Sequence, residues 1–299
     1  MRASTLALAL TLLSLPALST AARADPLPTR VVSIGGAVTE ILYALGEAGR
    51  VAAVDTTSLY PPAALQEKPN VGYLRALSAE GVLSLSPDLI LMDNGAGPKE
   101  AVALIDAAGV PVRHVPSGQT VPELLDKIRI VAGAVGRAAE GEALAKRTER
   151  ELQALTEDLK GIGPKRRVLF ILSIADGRAN AAGHGTGADA VIRLAGGENV
   201  FADAEGYKML SPEAAAALQP DVILMVDRAG PGGQDPLSIP ALAATPAGQT
   251  GSVVRMDAAY LLGFGPRLPA ALRDLAARLY PEAGLRAAAP APEEATHVR

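Results

Sequence analysis

The stretch Leu77-Ser-Ala-Glu-Gly-Val-Leu-Ser-Leu-Ser-Pro-Asp-Leu-Ile-Leu-Met92 returns later in the chain as Leu210-Ser-Pro-Glu-Ala-Ala-Ala-Ala-Leu-Gln-Pro-Asp-Val-Ile-Leu-Met225. Leu77, Ser78, Glu80, Leu85, Pro87, Asp88, Ile90, Leu91 and Met92 all recur at one constant offset, without a gap. Each copy reads as a Ser-capped helix, a Pro-Asp turn and a buried strand, with Glu80 or Glu213 in the first helical turn. Pro-Asp before an apolar strand is common in α/β chains, but an ungapped repeat of this length argues for two similar lobes.

Around the first copy, short strand-like runs alternate with helix-like ones. Residues 30–34, 51–54, 87–92 and 110–114 read as strands, and Ile41, Leu42 and Leu45 carry helical spacing up to Gly46. Hairpin chemistry is sparse, so the expected sheet is parallel. Residues 138–160 form a charged stretch in which Leu152, Leu155 and Leu159 keep helical spacing and Glu142 can pair with Lys146. A helix of about 22 residues spans roughly 33 Å, enough to bridge two small lobes. Gly161-Ile-Gly163-Pro164 ends it, and residues 167–172 restart the strand pattern.

The expected fold class is therefore α/β: two similar α/β lobes joined by one long helix, with a ligand cleft between them. The division is 25–137 for the first lobe, 138–160 for the connecting helix, 161–287 for the second lobe and 288–299 for a disordered tail, where His297 carries little weight.

Composition narrows the function. The 299 residues are 49% hydrophobic and 20% charged, which argues against wholesale disorder. There is no Cys, so disulfides, zinc ribbons, iron–sulfur clusters, thiolate nucleophiles and a lipid-anchored cysteine are not expected. A formal charge of −4 with no basic block makes nucleic acid an unsuitable partner. Arg2, the apolar run 6–18 and Ala22-Arg-Ala24 read as a cleaved secretory signal over residues 1–24. A soluble, exported mature protein is expected.

Motifs for phosphate loops, serine hydrolases, zinc proteases and EF-hands are missing from the sequence. Gly183-His-Gly-Thr-Gly187 can present backbone N–H groups to an anion or simply make a tight turn. His114 and His184, one from each lobe, are too few for a zinc site, which wants three or four ligands. Aromatic residues make up only 3% of the chain, and Tyr60 stands out among them. It lies in Asp55-Thr-Thr-Ser-Leu-Tyr-Pro-Pro62, a polar loop after a strand, stiffened by two prolines. Open α/β sheets bind ligands outside the carboxyl ends of their strands. A phenol there can pack on a flat ligand, bind ferric iron as phenolate, or remain an exposed loop tyrosine.

The Tyr60 segment, Val71-Gly-Tyr-Leu-Arg75 with Leu77-Ser-Ala-Glu80, Gly177-Arg-Ala-Asn-Ala-Ala-Gly183 with Thr186-Gly-Ala-Asp-Ala190, and Leu261-Leu-Gly-Phe-Gly-Pro-Arg267 together resemble haem-specific periplasmic binding proteins of ABC importers. These proteins sit within the wider siderophore- and cobalamin-binding superfamily. The resemblance implies a periplasmic, non-enzymatic receptor with haem as its transported ligand and no other cofactor. It makes Tyr60 the axial iron ligand and Arg228 the cation that approaches it from the second lobe, where a guanidinium favours the phenolate. Tyr73 and Arg75 become pocket candidates, Arg75 for a propionate, and His184 is the one histidine in a suitable loop. Iron held by Tyr60 alone is the expectation.

In the superfamily, glutamates placed like Glu80 and Glu213 dock onto arginines of the two permease subunits. Acidic residues there also complement the helix dipole. The implied partners are haem, an inner-membrane permease dimer with its ATPase on separate chains, and an outer-membrane haem receptor upstream. The competing readings are a receptor for a ferric siderophore or cobalamin, a secreted α/β enzyme using His184 with Asp189, and an adaptor presenting Glu80 and Glu213 without a small ligand.

Overall fold

The computed structural model describes residues 26–227 and 234–287, so the expected signal segment 1–24 and tail 288–299 lie outside the described residues. The first half runs β1 (Val31–Ile34), α1 (Gly36–Ala44), β2 (Val51–Val54), α2 (Pro62–Glu67), α3 (Ala79–Leu83), β3 (Leu89–Asp93), α4 (Lys99–Asp106), β4 (Val112–Val115) and α5 (Val121–Ala134). Then comes α6 (Ala138–Leu159). The second half begins β5 (Arg167–Ala175), β6 (Arg178–Ala182), α7 (Gly187–Leu194), β7 (Glu198–Asn199), β8 (Tyr207–Met209) and α8 (Pro212–Ala217). It ends with β9 (Val222–Asp227), α9 (Pro240–Ala243), α10 (Pro246–Thr250), β10 (Val253–Asp257), α11 (Ala258–Leu262) and α12 (Leu268–Leu279).

The first sheet, ordered β2-β1-β3-β4, is parallel throughout. The second follows the order β10-β9-β5-β6-β8, with β7 also pairing β5. The repeated segments occupy matching places: β3 lies beside β1, and β9 lies beside β5. Ser78 caps α3 by accepting from Gly81 N–H, and Ser211 caps α8 by accepting from Ala214 N–H.

The repeated Pro-Asp has a shared task. Asp88 accepts the Arg30 backbone N–H at 2.8 Å, and Asp221 accepts that of Arg167 at 2.9 Å, so each carboxylate ties down the start of the neighbouring strand. The two arginines answer alike. Arg30 donates to the carbonyls of Ser86 and Leu85, and Arg167 to those of Gln219 and Leu218. Both turn residues, Ser86 and Gln219, take positive φ, which frees those carbonyls to face the guanidinium. One latch has been built twice.

The expectation of parallel sheets with little hairpin chemistry is corrected in the second lobe. There β6 runs antiparallel to β5, and β8 antiparallel to β6. Asp176 and Gly177 both have positive φ, 50° and 68°, as the tight hairpin turn between right-twisted strands requires.

Successive strand residues feed two cores. Leu89 and Leu91 of β3 face one cluster while Ile90 and Met92 face another, as both sides of a helix-covered parallel sheet demand. The larger cluster is common to both lobes. It runs from Val31 through Leu124, Ile128 and Val131 of α5, then Leu144, Leu152 and Leu155 of α6, to Phe170 and Leu272.

Where α5 crosses α6, Gly141 faces Ala132 so closely that no Cβ fits between them. A Gly141→Val variant is expected to lose about 1–3 kcal/mol of unfolding free energy, the usual cost of overfilling a packed core, read from urea midpoints. Gly163→Ala, in open space, is the control and should stay within about 0.5 kcal/mol.

Candidate functional site

All four strands of the first sheet point their carboxyl ends at one cleft. Gly35 and Gly36 follow β1, Thr56 and Thr57 follow β2, Asp93 ends β3 and Ser117 follows β4, and all of them line it. Leu172, Val226, Ala258 and Phe264 close it from the second lobe. Its volume is about 660 Å³, within the usual range for small-molecule sites. The two glycines permit the close approach of strands and loop. A Cβ on Gly35, whose φ is +118°, would stand 2.8 Å from Asp93 Cβ, and one on Gly36 would strike the Thr57 carbonyl.

The loop that carries Tyr60 is organised by Asp55, whose carboxylate is fully buried. Its Oδ1 accepts from Gly35 N–H at 2.8 Å and Ser58 Oγ at 3.0 Å. Its Oδ2 accepts from Thr57 N–H at 3.0 Å and Thr57 Oγ1 at 2.7 Å. A chain of buried hydroxyls, Ser58 to Thr39 to Ser33, continues the network into α1 and β1. Pro62 then opens α2. Tyr60 is thereby held half-buried on the cleft wall, with Leu59 exposed beside it.

A cation meets it from the second lobe. The Arg267 guanidinium carbon lies 3.5 Å from the centroid of the Tyr60 ring, in stacking contact. Glu40 on α1 fixes that arginine: Oε1 accepts its backbone N–H and Oε2 its Nε, both at 2.9 Å. Burial pushes the Glu40 carboxyl up, against the opposing pull of Arg267 and Lys127. Lys127 of α5 is also buried and lines the cleft, and its Nζ donates to the Phe264 carbonyl at 3.4 Å. Burial holds the Lys127 ammonium below its ordinary range, against the opposing pull of Asp93, Glu123 and Glu40, and burial likewise raises Asp93. Tyr260, 5.3 Å from Arg267, is pushed up by burial and by its hydrogen bond to Asp274.

Of the residues singled out in the sequence, Tyr60, Tyr73 and Arg75 line the cleft together. His184 does not. Its backbone N–H reaches Ala204 and its Nδ1 bonds the Ala202 carbonyl, which makes it part of a turn. Asp189 bonds Asn199 and pairs with Arg193, so no His184–Asp189 hydrogen bond forms. His114 pairs with Asp106 on the surface. Among the described residues, no group of three or more His, Cys, Asp or Glu is arranged to hold a metal ion. Arg228 lies outside the described residues. Glu80 and Glu213 each stand in the first turn of a capped helix, Glu80 partly exposed and Glu213 fully so.

Sequence reasoning missed Glu40, Lys127 and Asp55. Arg267 stood in a quoted segment without a role. The available signal was the polarity of Glu40 and Lys127 within otherwise apolar helical periods.

The sequence pattern of the periplasmic binding protein family matches residues 31–260. The structure resembles that of the periplasmic heme-binding protein BhuT in complex with two hemes: 44% identity, 85% of this chain and 98% of that one, TM-score 0.80. The periplasmic heme-binding protein RhuT from Roseiflexus sp. RS-1 is 41% identical over 85% of this chain and 98% of that one, with a TM-score of 0.79. An uncharacterized ABC transporter substrate-binding lipoprotein of Bacillus subtilis, YvrC, is 28% identical over 67% of this chain and 64% of its own length.

Removing the Asp55 carboxylate strands four donors in the Tyr60 loop. Asp55→Ala is expected to destabilise the protein by more than about 2 kcal/mol, since each unsatisfied buried group costs about 1–3 kcal/mol. Asp55→Asn, which keeps one acceptor oxygen, should fall between it and the parent in urea unfolding.

Proposed function

The chain belongs to the periplasmic binding protein family, and we propose that within it this chain is the receptor that captures haem and delivers it to an ATP-driven inner-membrane importer. The observation that carries this reading is Tyr60 on the wall of an interlobe cleft, with a second-lobe guanidinium stacked on its ring. The 44% identity to a heme-binding protein supports it.

Tyr60 supplies the phenolate oxygen to ferric iron, a ligand type that haem proteins use. The positive charge of Arg267 favours the anionic form of the ring it covers. Tyr73 and Arg75 on the same wall are suited to a porphyrin edge and a propionate, the arginine as a bidentate carboxylate partner. Lys127 adds a second buried cation to the cleft. Arg228 is retained as a further cation near the iron ligand. The protein carries its cargo and transforms nothing: the ATPase belongs to other chains.

Glu80 and Glu213 give each lobe one negative point at an equivalent position, suited to arginines on a two-subunit permease. The place of action is the periplasm, reached after removal of residues 1–24.

A hemin titration tests the ligand. Tyr60→Ala should abolish the tyrosinate charge-transfer band and weaken binding at least about tenfold, or 1.4 kcal/mol; an unchanged spectrum and affinity would refute the assignment. A ferric siderophore or cobalamin receptor would leave hemin unbound in the parent protein as well. For docking, Glu80→Lys with Glu213→Lys should halt transport in reconstituted vesicles while hemin binding persists, and unaltered transport would remove both residues from the interface.

A further inference from the structure

Glu40 and Arg267 are 227 residues apart and belong to different lobes, yet the carboxylate holds the arginine at two points. With the backbone N–H and Nε both fixed, the planar guanidinium has its orientation set, and its face lies on the Tyr60 ring. The segment around Arg267 is shaped for this contact. Phe264 adopts φ +48°, a left-handed conformation that an aromatic residue takes only when its surroundings impose it. Gly265 leaves room for the carboxylate, since a Cβ there would stand 3.0 Å from Glu40 Cδ.

We propose that Glu40 is a positioning residue that keeps Arg267 on the Tyr60 ring only while the two lobes are together, and so couples lobe separation to release of the iron ligand. The proposal rests on the haem reading above. Tyr60 and Glu40 share the first lobe, and Arg267 belongs to the second. Parting the lobes therefore withdraws the cation from both at once. The phenolate then loses its counter-charge and takes a proton from water. The Fe–O bond breaks, both bonding electrons stay on oxygen, and water or a permease group fills the vacated position on iron. The iron remains ferric throughout.

The charges facing this assembly come from several elements. Arg267 and Lys127 face Glu40, Asp93 and Glu123 face Lys127, and Arg75 and Asp55 act on Asp93. A pH profile alone therefore reports the whole cluster, and the variants must separate position from charge.

The experiment is hemin titration of the full protein across pH, read by the tyrosinate band, for Arg267→Ala, Glu40→Gln, their double variant, and Gly265→Ala. The last pushes on the Glu40 carboxylate without changing any charge. Arg267→Ala should weaken binding about 3- to 30-fold, the span of cation–π contacts from exposed to desolvated sites, and move acid release to higher pH. Glu40→Gln and Gly265→Ala should shift release in the same direction by less, and the double variant should match Arg267→Ala alone.

A Glu40→Gln shift to lower pH would mean that Glu40 acts by neutralising charge, and would overturn the proposal. So would additive effects in the double variant, or a wild-type profile in both Glu40→Gln and Gly265→Ala. If Glu40→Gln does not fold, Gly265→Ala decides. A parent protein that shows no tyrosinate band defeats the haem reading itself, whereas a normal band indifferent to these variants defeats only the coupling.

Discussion

A buried carboxylate filled by four neutral donors sets the terms for the cleft. Asp55 spends both oxygens on Gly35, Thr57 and Ser58, and in doing so joins the end of β1 to the loop after β2. A charge removed from water is tolerable only when its lone pairs are filled, so the loop has little freedom to rearrange. The direction of Tyr60 follows from that constraint. So does the need for glycine at 35 and 36, where the strand end and the loop come too close for a side chain.

The spacing of the lobes has a different origin. The apolar core that passes through α6 includes residues of both halves, and opening the cleft by hinging would pull against it. Large motions are the default where domains meet across small polar surfaces, and this junction is neither small nor polar. The Glu40–Arg267 pair sits at the other side of that junction, where the lobes touch through one buried carboxylate. A modest separation can thus break a specific contact while most of the shared core remains.

What could be read from the sequence was local or periodic. The repeat revealed two lobes because each copy carries its own cap, turn and strand, and α6 was visible because its buried leucines keep one face. Tyr60 was legible because aromatics are rare and its loop follows a strand. The antiparallel β5–β6 pair escaped, although Asp176-Gly177 is a strong hairpin signal, because the expectation of repetition outweighed it. Arg267 and Glu40 escaped for a firmer reason: a contact between residues 227 apart leaves no spacing to read. His184 looked suitable because a glycine-rich turn resembles a binding loop, and the structure gives its ring to a backbone carbonyl instead.

The two lobes keep their likeness where it serves construction and lose it where the ligand binds. The latches built from Asp88 with Arg30 and Asp221 with Arg167 match bond for bond, and so do the capped helices that carry Glu80 and Glu213. A symmetric partner can use such matching points. At the cleft the equivalence ends, because β2 runs parallel to β1 while β6 runs antiparallel to β5. The first lobe therefore ends β2 in a loop that presents a phenol, and the second offers a guanidinium from the turn before α12. An anionic oxygen and its counter-charge on opposite walls make the site complete only when both lobes contribute. That division allows a partner acting on the matched outer surfaces to alter the chemistry at the unmatched centre.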